Sequence, residues 1–284
     1  NKTKAKKLFK NYLFNSSLKI IHQDVVNKIN INTKINYIIH GASPADPTKY
    51  TDNPIDTLLP NIIGTKNLLD ISNHENFNAF LFLSSGAVYG NLKQKTIREN
   101  NFGSLDPLDP RSCYAESKRM GENMCVSWFT EKNTPVKIAR IFHTYGPTMN
   151  LDDGRIFASL VSDVIKNKNL SINSNGKTER PFCYIVDTVT AMFTILLKGK
   201  TGEAYNISNP SQTVSVNKLA KTIVDIFPEK KLKIIKRKSQ KNKQTKNLIT
   251  TQYPDICKIK RLGWNPKFSI KHGFSRTILS FLEN

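Results

Sequence analysis

Short apolar runs ending in small or polar residues alternate with segments of helical period, and that alternation leaves few folds open to the chain. SLKIIHQDV (residues 17–25), NYIIHGAS (36–43), AFLFLSSGAVYG (79–90) and VKIARIFHTYGP (136–147) each read as a buried strand running into a loop. Between them, NPIDTLLPNIIGTKNLLDISN (53–73) and RSCYAESKRMGENMCVSWFTEK (111–132) have helical spacing, Pro60 being accommodated by a bend. Strand and helix in strict turn predict an α/β fold with a doubly wound parallel sheet, because parallel neighbours need a crossover between them. In such sheets ligands sit beyond the C-terminal ends of the strands, where GAS, SSGAVYG and FHTYGP all fall.

After about residue 148 the elements become short and mixed. This predicts a division into a sheet domain over 1–147 and, over 148–284, mainly a smaller substrate-covering lobe with some segments returning to the sheet. A dinucleotide-binding sheet should open on a strand, a glycine-rich turn and a helix that begins at the pyrophosphate. Here Gly41 is the first glycine. Either the fold is different, or a Rossmann-like fold has lost its first βαβ portion, about 30 residues or more, and the second is the expectation.

Bulk properties exclude several classes. Hydrophobic residues at 38% and charged residues at 23% suit a globular chain, and no apolar run reaches the roughly 20 residues of a membrane span. The basic N-terminus lacks the apolar run and small-residue site of a secretory signal. Cys113, Cys125, Cys183 and Cys257 make no metal-like spacing, so no metal is expected, and they read as reduced thiols of the cytoplasm. The net charge of +21 raises nucleic-acid binding, but the densest basic run, 230–246, has no aromatic residue for stacking on bases. A solvated basic face is expected instead, one that also attracts anionic substrates.

Tyr114 and Lys118 stand four apart, on one face of the second helix. An ammonium beside a phenol favours the phenolate, which can take a proton from a hydroxyl as hydride leaves the same carbon. Ser85, ending the preceding strand, can bond the same hydroxyl and steady the developing oxyanion. Tyr-x-x-x-Lys is common by chance; SSGAVYG before it and RIFHTYGP after it make the set specific.

With those motifs in place the chain, from about Lys19 onward, resembles the extended short-chain dehydrogenase/reductases: the NAD-dependent sugar-nucleotide epimerases, dehydratases and decarboxylases. HGASPADPTKYTDNPIDTLLPNIIGTKNLLD, LDDGRIFASLV and GKTERPFCYIVDTV are similar to UDP-glucuronate decarboxylases in particular, and LGWNPKFSIKHGFSRTI resembles the usual ending of the family. The resemblance implies NAD as cofactor, a nucleotide diphosphate sugar as substrate, a 4-keto intermediate and a homodimer built from NPIDTLLPNIIGTKNLLD (53–70) and the Tyr114 helix. By position it implies catalytic roles for Ser85, Tyr114 and Lys118. It assigns cofactor contacts to Asp24, Gly41, Ala42, Ser43, Asn61, Tyr114 and Lys118, and substrate contacts to Tyr50, His143, Arg155 and Arg180.

Two positions depart from the pattern. Dehydratases carry an Asp-Glu pair where Gly86 and Ala87 stand, and decarboxylases usually a glutamate where Ala87 stands; alanine cannot transfer a proton. His143 replaces the asparagine common in the R-x-x-N-x-Y-G-P segment. The long matching stretches favour decarboxylase-like chemistry, Ala87 favours a 4-epimerase or ketoreductase, and a non-catalytic binding relative is the reading from another class.

Overall fold

A computed structural model describes residues 2–31, 33–72, 74–236 and 253–283. After a first helix α1 (Lys2–Leu8), the main sheet opens with β1 (Tyr37–His40), followed by α2 (Lys49–Asp52), α3 (Pro54–Ile71), β2 (Ala79–Ser85) and β3 (Thr96–Ile97). Next come α4 (Cys113–Lys132), β4 (Val136–Ile141), β5 (Thr144–Tyr145), α5 (Ile156–Ile165), β6 (Leu170–Ile172), β7 (Glu179–Pro181) and β8 (Cys183–Tyr184). The chain ends through α6 (Ile185–Lys198), β9 (Ala204–Ile207), β10 (Thr213–Ser215), α7 (Val216–Ile226), β11 (Ile234–Lys236), β12 (Tyr253–Pro254), α8 (Cys257–Lys260) and α9 (Ile270–Leu282). Of the basic run 230–246, residues 237–246 lie outside the described residues.

Four strands form the main sheet in the order β1-β2-β4-β9, all parallel. A parallel sheet is covered on both faces, which is why β2 reads as an almost unbroken apolar run. Phe80, Phe82, Val136 and Ile138 face α3 and α4, packing with Leu69 and Cys125. Leu81, Ala139, Tyr205 and Ile207 face the other way, against Ala191 and Ile195 of α6 and the Trp264 ring. The α4 helix comes very close to the sheet at Gly121, where a Cβ would lie 2.3 Å from the Phe82 ring.

A second core fills the C-terminal part. Leu160, Val161 and Val164 of α5, Leu219 and Ile223 of α7 and Phe274 and Ile278 of α9 pack around Tyr145, Phe182 and Tyr184. The Tyr145 and Phe274 rings stack at 3.9 Å. The buried Asp187 of α6 ties this end to the sheet: its two carboxylate oxygens accept the Lys267 and Phe268 amides at 2.9 and 3.0 Å, and its carbonyl accepts Trp264 Nε1.

The expected strand over 17–25 is not formed. Among the described residues β1 pairs only with β2, and no strand reaches 17–25 to complete a ladder. Apolar alternation makes a strand only where a neighbour takes its backbone groups. The chain after it is instead pinned to α3, Asn67 Nδ2 donating to the carbonyls of Val25, Val26 and Asn27 at 2.9–3.1 Å.

Candidate active site

The ends of β1, β2 and β4 and the start of α4 converge on one place. β2 delivers Ser85, whose Oγ accepts the Ala87 amide at 3.2 Å and caps the tight turn Gly86–Tyr89. Gly86 is required there, since a Cβ would lie 2.6 Å from the Phe142 ring. Helix α4 places Tyr114 in its first turn and Lys118 one turn later. The Lys118 ammonium donates to the Leu83 carbonyl at 2.7 Å and sits 4.9 Å from the Phe82 centroid and 5.9 Å from that of Tyr114. The Tyr50 and Tyr114 rings stack at 4.8 Å, nearly parallel.

Burial pushes the Tyr114 phenol above its ordinary value, while its hydrogen bond with Ser85 and the charge of Arg155 pull it back. Burial brings Lys118 down to about 7, opposed by the Glu122 carboxylate. Burial also lifts Tyr50, with the neighbouring Tyr114 adding to it. His143 follows β4, its carbonyl accepting the Cys183 amide at 3.0 Å. Burial, then the charges of Arg180 and Arg155, lower it to about 3, so it is neutral at physiological pH. Arg155 ion-pairs with the buried Asp153 at the head of α5, and Arg180 lies in β7, donating to the Glu179 carbonyl. Ser85, Tyr114, Tyr50, His143, Arg155 and Arg180 thus influence one another at one end of the sheet. Asp24 does not join them: its carboxylate accepts the Val26 amide at 3.0 Å in an exposed turn.

Among the buried polar atoms without a partner are Ser43 Oγ, just after β1, and Asn61 Oδ1 of α3. Asn61 Nδ2 donates to Ser117 Oγ at 3.0 Å, and that hydroxyl donates to the Tyr114 carbonyl, so Asn61 sits beside the Tyr114 turn. Buried polar atoms left open in this way suit a polar ligand. Among the described residues no cluster of His, Cys, Asp and Glu could hold a metal, and no helix is long and apolar enough to cross a membrane.

The model of the NAD dependent epimerase/dehydratase family matches residues 2–208. The chain belongs to this family. UDP-glucuronic acid decarboxylase 6 of Arabidopsis thaliana is 32% identical over 273 residues, which cover 95% of this chain and 76% of that one. UDP-glucuronic acid decarboxylase 1 of Xenopus tropicalis is 31% identical over 280 residues, 98% of this chain and 64% of that one. Among solved structures, UDP-glucuronic acid 4-epimerase of Bacillus cereus, in complex with UDP-glucuronic acid and NAD, superposes with a TM-score of 0.81 at 24% identity, covering 99% of this chain and 87% of that one. The match establishes the α/β fold with a parallel central sheet that the strand–helix alternation predicts. As a family member the protein is an NAD-dependent enzyme, and the open Asn61 atom beside the Tyr114 turn and the open Ser43 hydroxyl after β1 are polar atoms that fit such a cofactor. No glycine precedes Gly41, so residues 1–40 hold no glycine-rich pyrophosphate turn.

Sequence reasoning missed two features. His40 of β1 is buried, its Nε2 3.0 Å from Thr65 Oγ1, and burial together with the Lys118 charge holds it at about 4. The second is a buried ion pair, Glu122 with Arg140. A lone histidine closing an apolar run and an arginine inside one were the available signals.

His40 has a consequence for stability. Between its ordinary value of 6.5 and about 4, the unfolded chain takes up a proton that the native one refuses. Stability should therefore fall as pH drops through that window and lose nothing further to this group below it. His143 acts in the same direction. Urea unfolding at pH 7 and pH 5 should show a smaller loss for His40→Gln than for the wild type; equal losses would remove His40 as a source of the slope.

Proposed function

We propose that the protein modifies a nucleotide diphosphate sugar by reversible oxidation at C4, with UDP-glucuronate the first substrate to test. The observation carrying this is Tyr114, set between Ser85 and Lys118 at the C-terminal edge of the sheet. Tyr114 takes the proton of the sugar hydroxyl, Ser85 bonds the oxygen as it gains charge, and Lys118 supplies the positive charge that favours the phenolate. When bound, the nicotinamide supplies the two-electron acceptor; Ser43, Asn61, Lys118 and the Gly41–Ala42 turn are the residues here that would hold that end of it. Arg180 and Arg155 meet the diphosphate and Tyr50 and His143 the sugar, the part of the chain after 147 chiefly forming the substrate side. The resemblance assigns Asp24 to the adenine end of the cofactor, and its carboxylate here accepts the Val26 amide in an exposed turn.

Decarboxylation is favoured by kinship with the UDP-glucuronic acid decarboxylases. Ala87 supports 4-epimerisation as a second reading, since the turn after Ser85 has no acid or base at that position. The protein, incubated with NAD and UDP-glucuronate, separates the readings by product mass and proton NMR. A product lighter by carbon dioxide supports decarboxylation, and unchanged mass with inverted C4 supports the epimerase. No turnover of any nucleotide sugar would leave a non-catalytic binding relative.

A homodimer through α3 and α4 belongs to the same proposal. Ile55, Leu59 and Ile63 recur at every fourth position on α3 and are exposed, as are Met120 and Val126 on α4. Leu59→Glu should convert a dimer to a monomer in sedimentation; a monomeric wild type would end the idea. A cytoplasmic location is supported by four unpaired cysteines, three of them buried.

A further inference from the structure

Beneath the candidate active site lies a charged cluster that the proposed chemistry does not use. Glu122 continues the α4 face that carries Tyr114 and Lys118, one further turn along. It is buried, and each of its oxygens is engaged. Oε1 accepts Ser84 Oγ at 2.5 Å and Arg140 Nε at 2.9 Å; Oε2 accepts Arg140 Nη2 at 2.7 Å. Arg140, in β4, is held in turn: Nη1 donates to Tyr89 Oη at 3.0 Å and to the Glu99 carbonyl at 2.8 Å, and the guanidinium lies 4.8 Å from the Tyr89 centroid. Tyr89 Oη in turn donates a hydrogen bond to Asn206 Oδ1 of β9 at 2.6 Å.

The placement is specific. Ser84, which donates to Glu122, lies between Leu83, whose carbonyl holds Lys118, and Ser85 of the site. One carboxylate therefore fixes the end of β2 against α4 and ties both to β4.

We propose that Glu122, seated on Arg140, is a positioning residue for the Tyr114–Lys118 pair, anchoring the helix that carries them to the strand that carries Ser85. The inference rests on the reading above, in which those three groups do the chemistry. Lys118 is faced by Tyr114, Glu122 and Cys125 from its own helix, by His40 from β1, and by the Phe82 ring and Leu83 carbonyl from β2. Glu122 is the carboxylate among them, and it supports the charged ammonium against its burial. A neighbouring opposite charge of this kind moves a titration by about one unit or more.

The test is the pH profile of kcat/KM, which reports the ionisations of the free enzyme. Glu122→Gln keeps the shape and removes the charge, so Lys118 should lose its proton at lower pH. The alkaline limb should then move toward acid by about one unit. Glu122→Asp, which keeps a carboxylate, should return the limb part of the way. Phe274→Ala, which weakens the second core and leaves the groups facing Lys118 unchanged, should leave the limb in place. An unmoved limb in Glu122→Gln overturns the proposal, as does an equal shift in Phe274→Ala. Should Glu122→Gln not fold, the double variant Glu122→Gln/Arg140→Gln removes both members of the buried ion pair and is read the same way. Tyr114→Phe runs alongside: normal turnover in it would overturn the underlying reading, independently of what Glu122 does.

Discussion

Tyr114→Phe is expected to lower kcat on the nucleotide sugar by about 10³-fold, within the range general acid–base groups supply. The ring keeps its stack on Tyr50 and its place in the first turn of α4, so binding of the nucleotide should change little. What is lost is the oxygen that meets Ser85. Titration calorimetry with UDP and single-turnover kinetics would separate the two: tight binding without chemistry is the expected result. Burial holds the free phenol above its ordinary value and brings Lys118 down to about 7, so activity should rise from acid pH only as far as the neutral range, where Lys118 begins to lose its charge. Unchanged turnover in the phenylalanine variant would remove Tyr114 from the mechanism.

Phe274→Ala should be the most damaging of the core substitutions considered. The ring is fully buried, stacks on Tyr145 and meets Phe182 edge-on at 6.0 Å. Truncating such a side chain costs about 3–5 kcal/mol, the lost burial adding to the cavity left behind. Thermal unfolding should shift down by roughly 10 °C for a domain of this size. A shift of only one or two degrees would mean that α9 contributes little to the second core.

Much of the architecture could be read from the chain because its signals are local. VKIARI and AFLFLSS are strands buried on both faces, and spacing alone puts Tyr114 and Lys118 on one side of a helix. Ser85 follows from its place at the end of a strand. The buried pair was not legible for the opposite reason: Glu122 looks like any polar helix residue until β4 brings Arg140 beneath it. An arginine inside an apolar strand signals that a partner exists without saying which. The segment 17–25 misled because its alternation is genuine but strand character is a property of two chains of backbone, and no ladder reaches it. His40 looked like the polar end of a strand, whereas the packing of α3 closes over it.

The way the C-terminal helix enters the second core bears on how the protein is made. Tyr145, Phe157 and Phe182 leave the ribosome well before Phe274 and Ile278, yet all five share one interior. Chains are synthesised at about 5–20 residues per second, and domains tend to fold from the N-terminus as they emerge. The parallel sheet can gather its strands once β9 is out, but the aromatic cluster stays unroofed until the last helix is released. For several seconds the nascent chain carries an exposed apolar surface, and premature termination before α9 would make that exposure permanent. Chaperone dependence during translation is then sensitive to changes in α9, beside the stability of the finished fold.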